Sequence, residues 1–261
     1  MNKNKSPLKG LDNLRARVPD LRTSFGVARL LFIPISLFII ITAFFTTEDA
    51  TWQFWLLDGE VVIASIGFLL LGLFFRLKKD LIAKYGAQAY PLALKRFSLP
   101  GLAIIFAVIA RMGTIPGPLI PRLWWYPVLP TLGWTMIVVG TVLWVRSVLT
   151  FGVDNLTMLY VYFPQDGQVA DHAIYGIIRH PVYAAAQRVA LGLALINGSW
   201  FGLTLAIIFS LGIWVWARLV EEKELIERFG PAYLVYRQRV PAFWPRLKDM
   251  PGFFKFLITG R

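Results

Sequence analysis

The stretch VYAAAQRVALGLALINGSWFGLTLAIIFSLGIWVWARL, residues 182–219, decides the fold. Two apolar runs, 182–196 and 201–219, are separated only by Asn197-Gly198-Ser199-Trp200. A connection that short folds the runs back on each other as an antiparallel helix hairpin. The second run is long enough to cross a bilayer core of ~30 Å. The first is short for a crossing, so it leans or stops within the outer leaflet and leaves room for a pocket on the cytoplasmic side.

Working outward, the same reading applies to most of the chain. Of its 261 residues 57% are hydrophobic and 16% are charged, far from the balance of a soluble domain. Further apolar runs cover 27–45, 56–75 and 128–149, with a weaker one from Leu99 that starts just before Pro100. The expected fold is all-α: a polytopic membrane protein of about six transmembrane helices, closing with the helix hairpin and a cytoplasmic helix. Trp52 and Trp55 are expected to bound the second span, and Trp124, Trp125 and Tyr126 to sit at the outer interface. Five prolines between Pro116 and Pro130 forbid a continuous helix there. The first apolar run starts late and lacks a small-residue cleavage site, so no cleavable signal peptide is expected.

The net charge of +12 is a topology signal. Twenty-four of the 27 Lys and Arg fall on one side of the six-span arrangement, and only Arg111 and Arg122 on the other, together with Glu48, Asp49, Asp58 and Glu60. Arg188 lies inside a span. This bias places both termini in the cytoplasm, with affinity for anionic membrane lipids rather than nucleic acid. There is no cysteine, which excludes disulfides and thiolate metal sites, and no metal site is expected.

The chemistry-bearing residues gather at the cytoplasmic ends of the hairpin. Arg179, His180 and Pro181 open its first arm, with Pro181 where a missing backbone donor costs nothing. That helix start presents free donors and the positive end of a dipole, flanked by Tyr175 and Tyr183. Glu221 and Glu222 end the second arm, so the fold-back brings them to His180. The plainer role for Glu222 is an i,i+4 ion pair with Arg218 on a helix surface. Lys223 and Arg228 read as ordinary solvated face. Arg188, two turns into the first arm, is functional by default because an ionisable group there is costly. KDLIAKYG (79–86) and KELIERFG (223–230) echo each other, each following an apolar span, but only the second copy offers adjacent carboxylates.

The motifs Arg-His-Pro-x-Tyr (179–183), Arg-x-x-Glu-Glu-x-x-Leu (218–225) and Phe-Gly-x-x-Tyr-x-x-Tyr (229–236), closed by Val240-Pro241, carry a resemblance. In combination they resemble the isoprenylcysteine carboxyl methyltransferase and phospholipid methyltransferase group of integral membrane enzymes, over about 145–246. The resemblance implies an S-adenosylmethionine pocket made by Tyr175, Arg179, His180, Pro181, Tyr183, Arg218, Glu221 and Glu222. Ala173 and Ala185 depart from it, standing where the group usually has glycine.

The implied organisation is a basic arm (1–26), amino-terminal membrane helices that select substrate (27–143), a cofactor-binding region (144–247) and a tail (248–261). The implied reaction is methyl transfer to a lipophilic acceptor: a prenylcysteine-type carboxylate, a lipid amine or a small thiol. His180 and Arg188 are the candidate catalytic residues, His180 as proton acceptor for an amine or thiol. Two other classes stand beside this one. A reductase of the sterol-reductase type would use NADPH, although Pro181 and the glutamate pair fit the methyltransferase pattern better. A non-enzymatic scaffold or transporter rests only on the internal echo.

Overall fold

The computed structural model describes residues 8–51, 56–124, 126–167 and 171–260. Trp52, Trp55 and Trp125 lie outside the described residues, and Trp124 is exposed. The described residues are helical, joined by turns and one isolated β-bridge.

The basic arm forms α1 (Leu11–Arg17) and a 3₁₀ turn, and leads into α2 (Ser24–Thr51). α3 (Leu56–Arg76) is followed by α4 (Lys78–Tyr85), α5 (Ala89–Ala93), a π turn and α6 (Leu99–Arg111). α7 (Val128–Phe151) precedes two short helices, α8 (Val153–Leu156) and α9 (Leu159–Tyr162). The hairpin is α10 (Pro181–Asn197) and α11 (Trp200–Trp216). Beyond it come α12 (Glu222–Phe229), α13 (Pro231–Arg239) and α14 (Met250–Thr259).

Among the described residues five helical runs are long and apolar enough to cross a membrane: Ser24–Asp49, Leu57–Arg76, Lys78–Arg111, Val128–Phe151 and Trp200–Phe229. α10 is the expected short arm: its 17 residues rise only about 25 Å. The chain is an all-α polytopic membrane protein. The third run reaches further back than Leu99, because α4 to α6 form a nearly unbroken helical path.

Small residues let α10 lie against α7. A Cβ added at Gly192 would come within 2.6 Å of the Gly133 carbonyl oxygen, and one at Gly133 within 2.7 Å of the Gly192 carbonyl. Gly140 is held as closely against the Ala185 carbonyl, at 2.9 Å. Backbone-to-backbone approach of this kind is how membrane helices gain packing without a hydrophobic driving force.

The hairpin turn is knitted to the proline-rich segment. Gly198 takes the left-handed conformation (φ +68°), and the Ser199 hydroxyl accepts from Phe201 N and Gly202 N to cap α11. Ile120 N donates to the Gly198 carbonyl, Trp200 N to Pro118, and the Asn197 amide to Met112 and Ile115. The segment from Ile115 to Ile120 therefore runs extended across the hairpin's closed end, with the Ile115 and Pro118 carbonyls satisfied by the turn.

The same end holds a buried ion cluster. Arg111, 4% exposed, donates to Glu60 at 2.7 Å and pairs with Asp49 through both terminal nitrogens. The sequence placed these groups on one side of the membrane, and here the single guanidinium bridges two of the carboxylates.

At the opposite end the arm docks on the α7–α9 segment. The Asn13 amide donates to Asp154 at 2.9 Å, and the Arg17 guanidinium lies over the Phe163 ring. Asp20 is buried between Lys95, at 2.6 Å, and Arg29, tying the arm to α2 and to the approach to α6. The internal echo has a structural counterpart in its stops: Gly86 and Gly230 end α4 and α12 with φ of +51° and +57°.

Candidate active site

The site begins where α10 begins. The preceding 3₁₀ turn, Ala173–Gly176, opens on Ala173 at φ +51°, a left-handed conformation that glycine would adopt freely. The main chain of the Arg-His-Pro motif is then clamped by the closing Val-Pro segment: Arg179 N donates to the Pro241 carbonyl at 2.9 Å and His180 N to Ala242 at 3.0 Å. Two motifs far apart in sequence thus form one short pairing.

Glu222 is the hub beneath it. Its Oε1 accepts from Arg179 Nη2 at 2.6 Å and lies 3.1 Å from His180 Nε2, while Oε2 lies 3.2 Å from Arg237 Nε. Arg179 is fully committed, since its Nη1 also donates to the carbonyls of Arg237 and Val240. The Arg218–Glu222 surface pair is replaced by this buried arrangement. The reason is the π turn over Ala217–Glu221, which puts an extra residue into the helix and turns Glu222 inward.

Glu221 approaches the other face of the imidazole, with Oε2 3.4 Å from His180 Nδ1. His180 therefore has a carboxylate at each ring nitrogen and is almost fully buried. Burial alone would push its pKa down, but the charge of Glu221 and Glu222 outweighs that and raises it to about 9. The two carboxylates favour the protonated ring, which is bonded through Nε2 to Glu222 and faces Glu221 through Nδ1. Tyr183 stacks on it at 5.6 Å between centroids, and Phe243 lies on the other side.

A cavity of about 270 Å³ opens beside this cluster. Its polar end is lined by Tyr175, Arg179, His180, Pro181, Tyr183 and Glu221. One wall is apolar: Leu71 and Phe75 of α3, Leu102 and Phe106 of α6, Trp144 of α7 and Trp216 of α11. Phe106 and Trp144 are also part-exposed on the outside of the bundle, so the apolar end reaches the membrane-facing surface.

Six of the nine sequence candidates meet at the cavity, and Glu222 supports them from behind. Two stand elsewhere. Arg188 is buried against the carbonyls of Ala184 and Phe243, with its guanidinium 4.1 Å from the Trp244 ring centroid. It satisfies its charge on the C-terminal segment, away from the cavity, so the catalytic role read from its burial cost does not carry over. Arg218 is exposed and lies over the Trp214 ring, also outside the cavity.

The sequence reading missed Glu224, Arg228, Tyr160 and Tyr233, all of which line the cavity. Arg228 is not solvated face: its Nη1 donates to the Tyr160 carbonyl at 2.6 Å. Spacing contained the signal, because Glu221, Glu224 and Arg228 fall at i, i+3 and i+7 on one helix face.

Residues 128–232 match the phospholipid methyltransferase family. Protein-S-isoprenylcysteine O-methyltransferase B of Arabidopsis thaliana is 27% identical over 171 residues, which cover 63% of this chain and 83% of that one. Methanethiol S-methyltransferase of Pseudomonas deceptionensis is 30% identical over 156 residues, 57% of this chain and about half (52%) of that protein. No solved structure gives a significant match. The matched segment contains the whole hairpin, the Arg-His-Pro motif and the glutamates of the cavity, the same residues whose motifs resemble that family.

Proposed function

We propose that this chain is an S-adenosylmethionine-dependent methyltransferase acting on a lipophilic acceptor at the cytoplasmic face of a membrane. The observation that carries the reading is a single cavity joining a polar end, at Glu221 and His180, to an apolar wall that reaches the membrane-facing surface. The names of the two relatives, an O- and an S-methyltransferase, support the reaction class. The basic arm, the 76–96 segment and the tail support a cytoplasmic placement of both termini, against anionic lipid.

The residues fit such a donor. The Tyr175 and Tyr183 rings suit a sulfonium, which is attracted to aromatic faces. Glu221 Oε2 is buried with no hydrogen bond among the described residues beyond the 3.4 Å approach of His180, and is an acceptor for a ribose or ammonium donor. The donor supplies a methyl carbon on a sulfonium; the acceptor's lone pair bonds to that carbon as the carbon–sulfur bond breaks, leaving S-adenosylhomocysteine. The chain's own task is alignment and exclusion of water.

The carboxylates at both ring nitrogens raise the His180 pKa to about 9, which favours a role in positioning Glu221 over one as proton acceptor. This favours an acceptor that reacts as an anion, a carboxylate or thiolate, over a lipid amine. The test is to incubate the purified protein in lipid with isotopically labelled donor and a prenylcysteine analogue, a small thiol or phosphatidylethanolamine. Label in the first or second supports the reading; label only in the amine refutes the acceptor assignment, and none in any refutes the enzyme.

A further inference from the structure

The polar end of the cavity holds a cation that the donor reading has not used. Arg179 spends every nitrogen of its guanidinium on Glu222 and backbone carbonyls. Arg228, the other arginine lining the cavity, does not. Its Nη1 bonds the Tyr160 carbonyl and its Nη2 lies 3.5 Å from Glu224, but its Nε is buried with no hydrogen-bond partner among the described residues. A buried, unmet guanidinium donor is costly unless something accepts from it.

The surroundings restrict what that acceptor can be. Glu221 and Glu224 line the same cavity on the same helix face, and Glu224 Oε1 is buried without a hydrogen bond among the described residues, its ion-pair partner Lys78 Nζ lying 3.7 Å away. Two neighbouring carboxylates repel a dianionic phosphate more strongly than a monoanion. A planar monoanion bonding a guanidinium side-on is compatible with them.

Resting on the proposed function, we infer that Arg228 is the anion-binding residue of this site and takes a carboxylate. Two molecules of the reaction can bring one: the donor, through its amino-acid end, and a carboxylate-bearing acceptor.

The test uses the full-length protein, wild type, Arg228→Gln and Arg228→Lys, in calorimetry with two ligands. S-adenosylhomocysteine carries the carboxylate; S-adenosyl-3-thiopropylamine keeps the amine and lacks it. If the carboxylate is the donor's, Arg228→Gln weakens S-adenosylhomocysteine binding ten- to hundredfold and leaves the decarboxylated ligand within about twofold. Arg228→Lys then keeps part of the preference. If the carboxylate is the acceptor's, both ligands bind Arg228→Gln normally, while KM rises at least tenfold for N-acetyl-S-farnesylcysteine and not for methanethiol.

The ratio between ligands guards against general damage, because loss of the Tyr160 contact weakens both alike. An equal loss for both ligands and both acceptors, or no change in any, overturns the inference while the donor reading stands. A wild-type protein that binds neither ligand overturns the donor reading, and the inference with it.

Discussion

Glu222 Oε1 lies 2.6 Å from Arg179 Nη2, and the two side chains are 4% and 10% exposed. This contact joins the two cytoplasmic ends of the hairpin, and around it the remaining site residues are arranged. Removing Glu222 leaves three cations, those of Arg179, His180 and Arg237, without their common partner. Breaking a buried pair from one side costs about 3–5 kcal/mol. Glu222→Ala is expected to lower the thermal midpoint sharply. Glu221→Gln, beside it but facing the cavity, is expected to lower the midpoint less, through the loss of one of the two charges on His180, and to weaken S-adenosylhomocysteine binding at least tenfold. Equal effects of the two variants on stability would contradict this division of roles.

His180 gives a pH signature. Its folded pKa, about 9, lies above the ordinary value of 6.5, so the folded state binds the proton more tightly than the unfolded chain. The stabilisation is complete below about pH 6.5 and is lost as pH rises through about 9. Thermal midpoints measured from pH 6 to 10 are expected to fall over that window in the wild type. In His180→Gln the fall is expected to shrink. An unchanged slope would show that the imidazole is not held as a cation.

Ala173 carries a backbone conformation that suits glycine. Ala173→Gly at φ +51° removes the clash of a Cβ with the adjoining carbonyl, worth about 1–2 kcal/mol against the extra entropy of an unfolded glycine, about 0.5–1. A net gain between about zero and about 1.5 kcal/mol is expected, read as a rise in thermal midpoint with donor affinity unchanged. A drop of similar size would mean the methyl group packs to better effect than the backbone suffers.

The amino-terminal helices are expected to read the acceptor. Phe106→Ala opens the apolar wall on α6 without touching the polar end. It should raise KM for a long-chain acceptor several-fold while S-adenosylhomocysteine affinity stays within twofold. A fall in donor affinity instead would place the donor, not the acceptor, against α6.

The architecture was legible because membrane insertion imposes length and polarity on every span, and Asn197–Trp200 is too short for anything but a tight hairpin. His180 and the glutamates could be brought together from that turn alone. Arg188 misled for a physical reason: a charge inside a span signals function only if no local group satisfies it, and Phe243, Trp244 and Phe253 come from a segment whose path the hairpin does not dictate. The Arg218–Glu222 surface pair does not form because the π turn at Ala217–Glu221 shifts the helix phase, and no residue in ARLVE announces it. The apolar wall from Leu71 to Phe106 depends on helix packing between distant segments, which periodicity does not fix.

The most direct measurement is a cryo-EM or crystal structure of the protein in lipid with saturating S-adenosylhomocysteine. Density for the ligand is expected in the cavity, with its sulfur beside Tyr175 and Tyr183 and a polar group on Glu221. Density at another site, or an empty cavity at saturation, would contradict the methyltransferase reading.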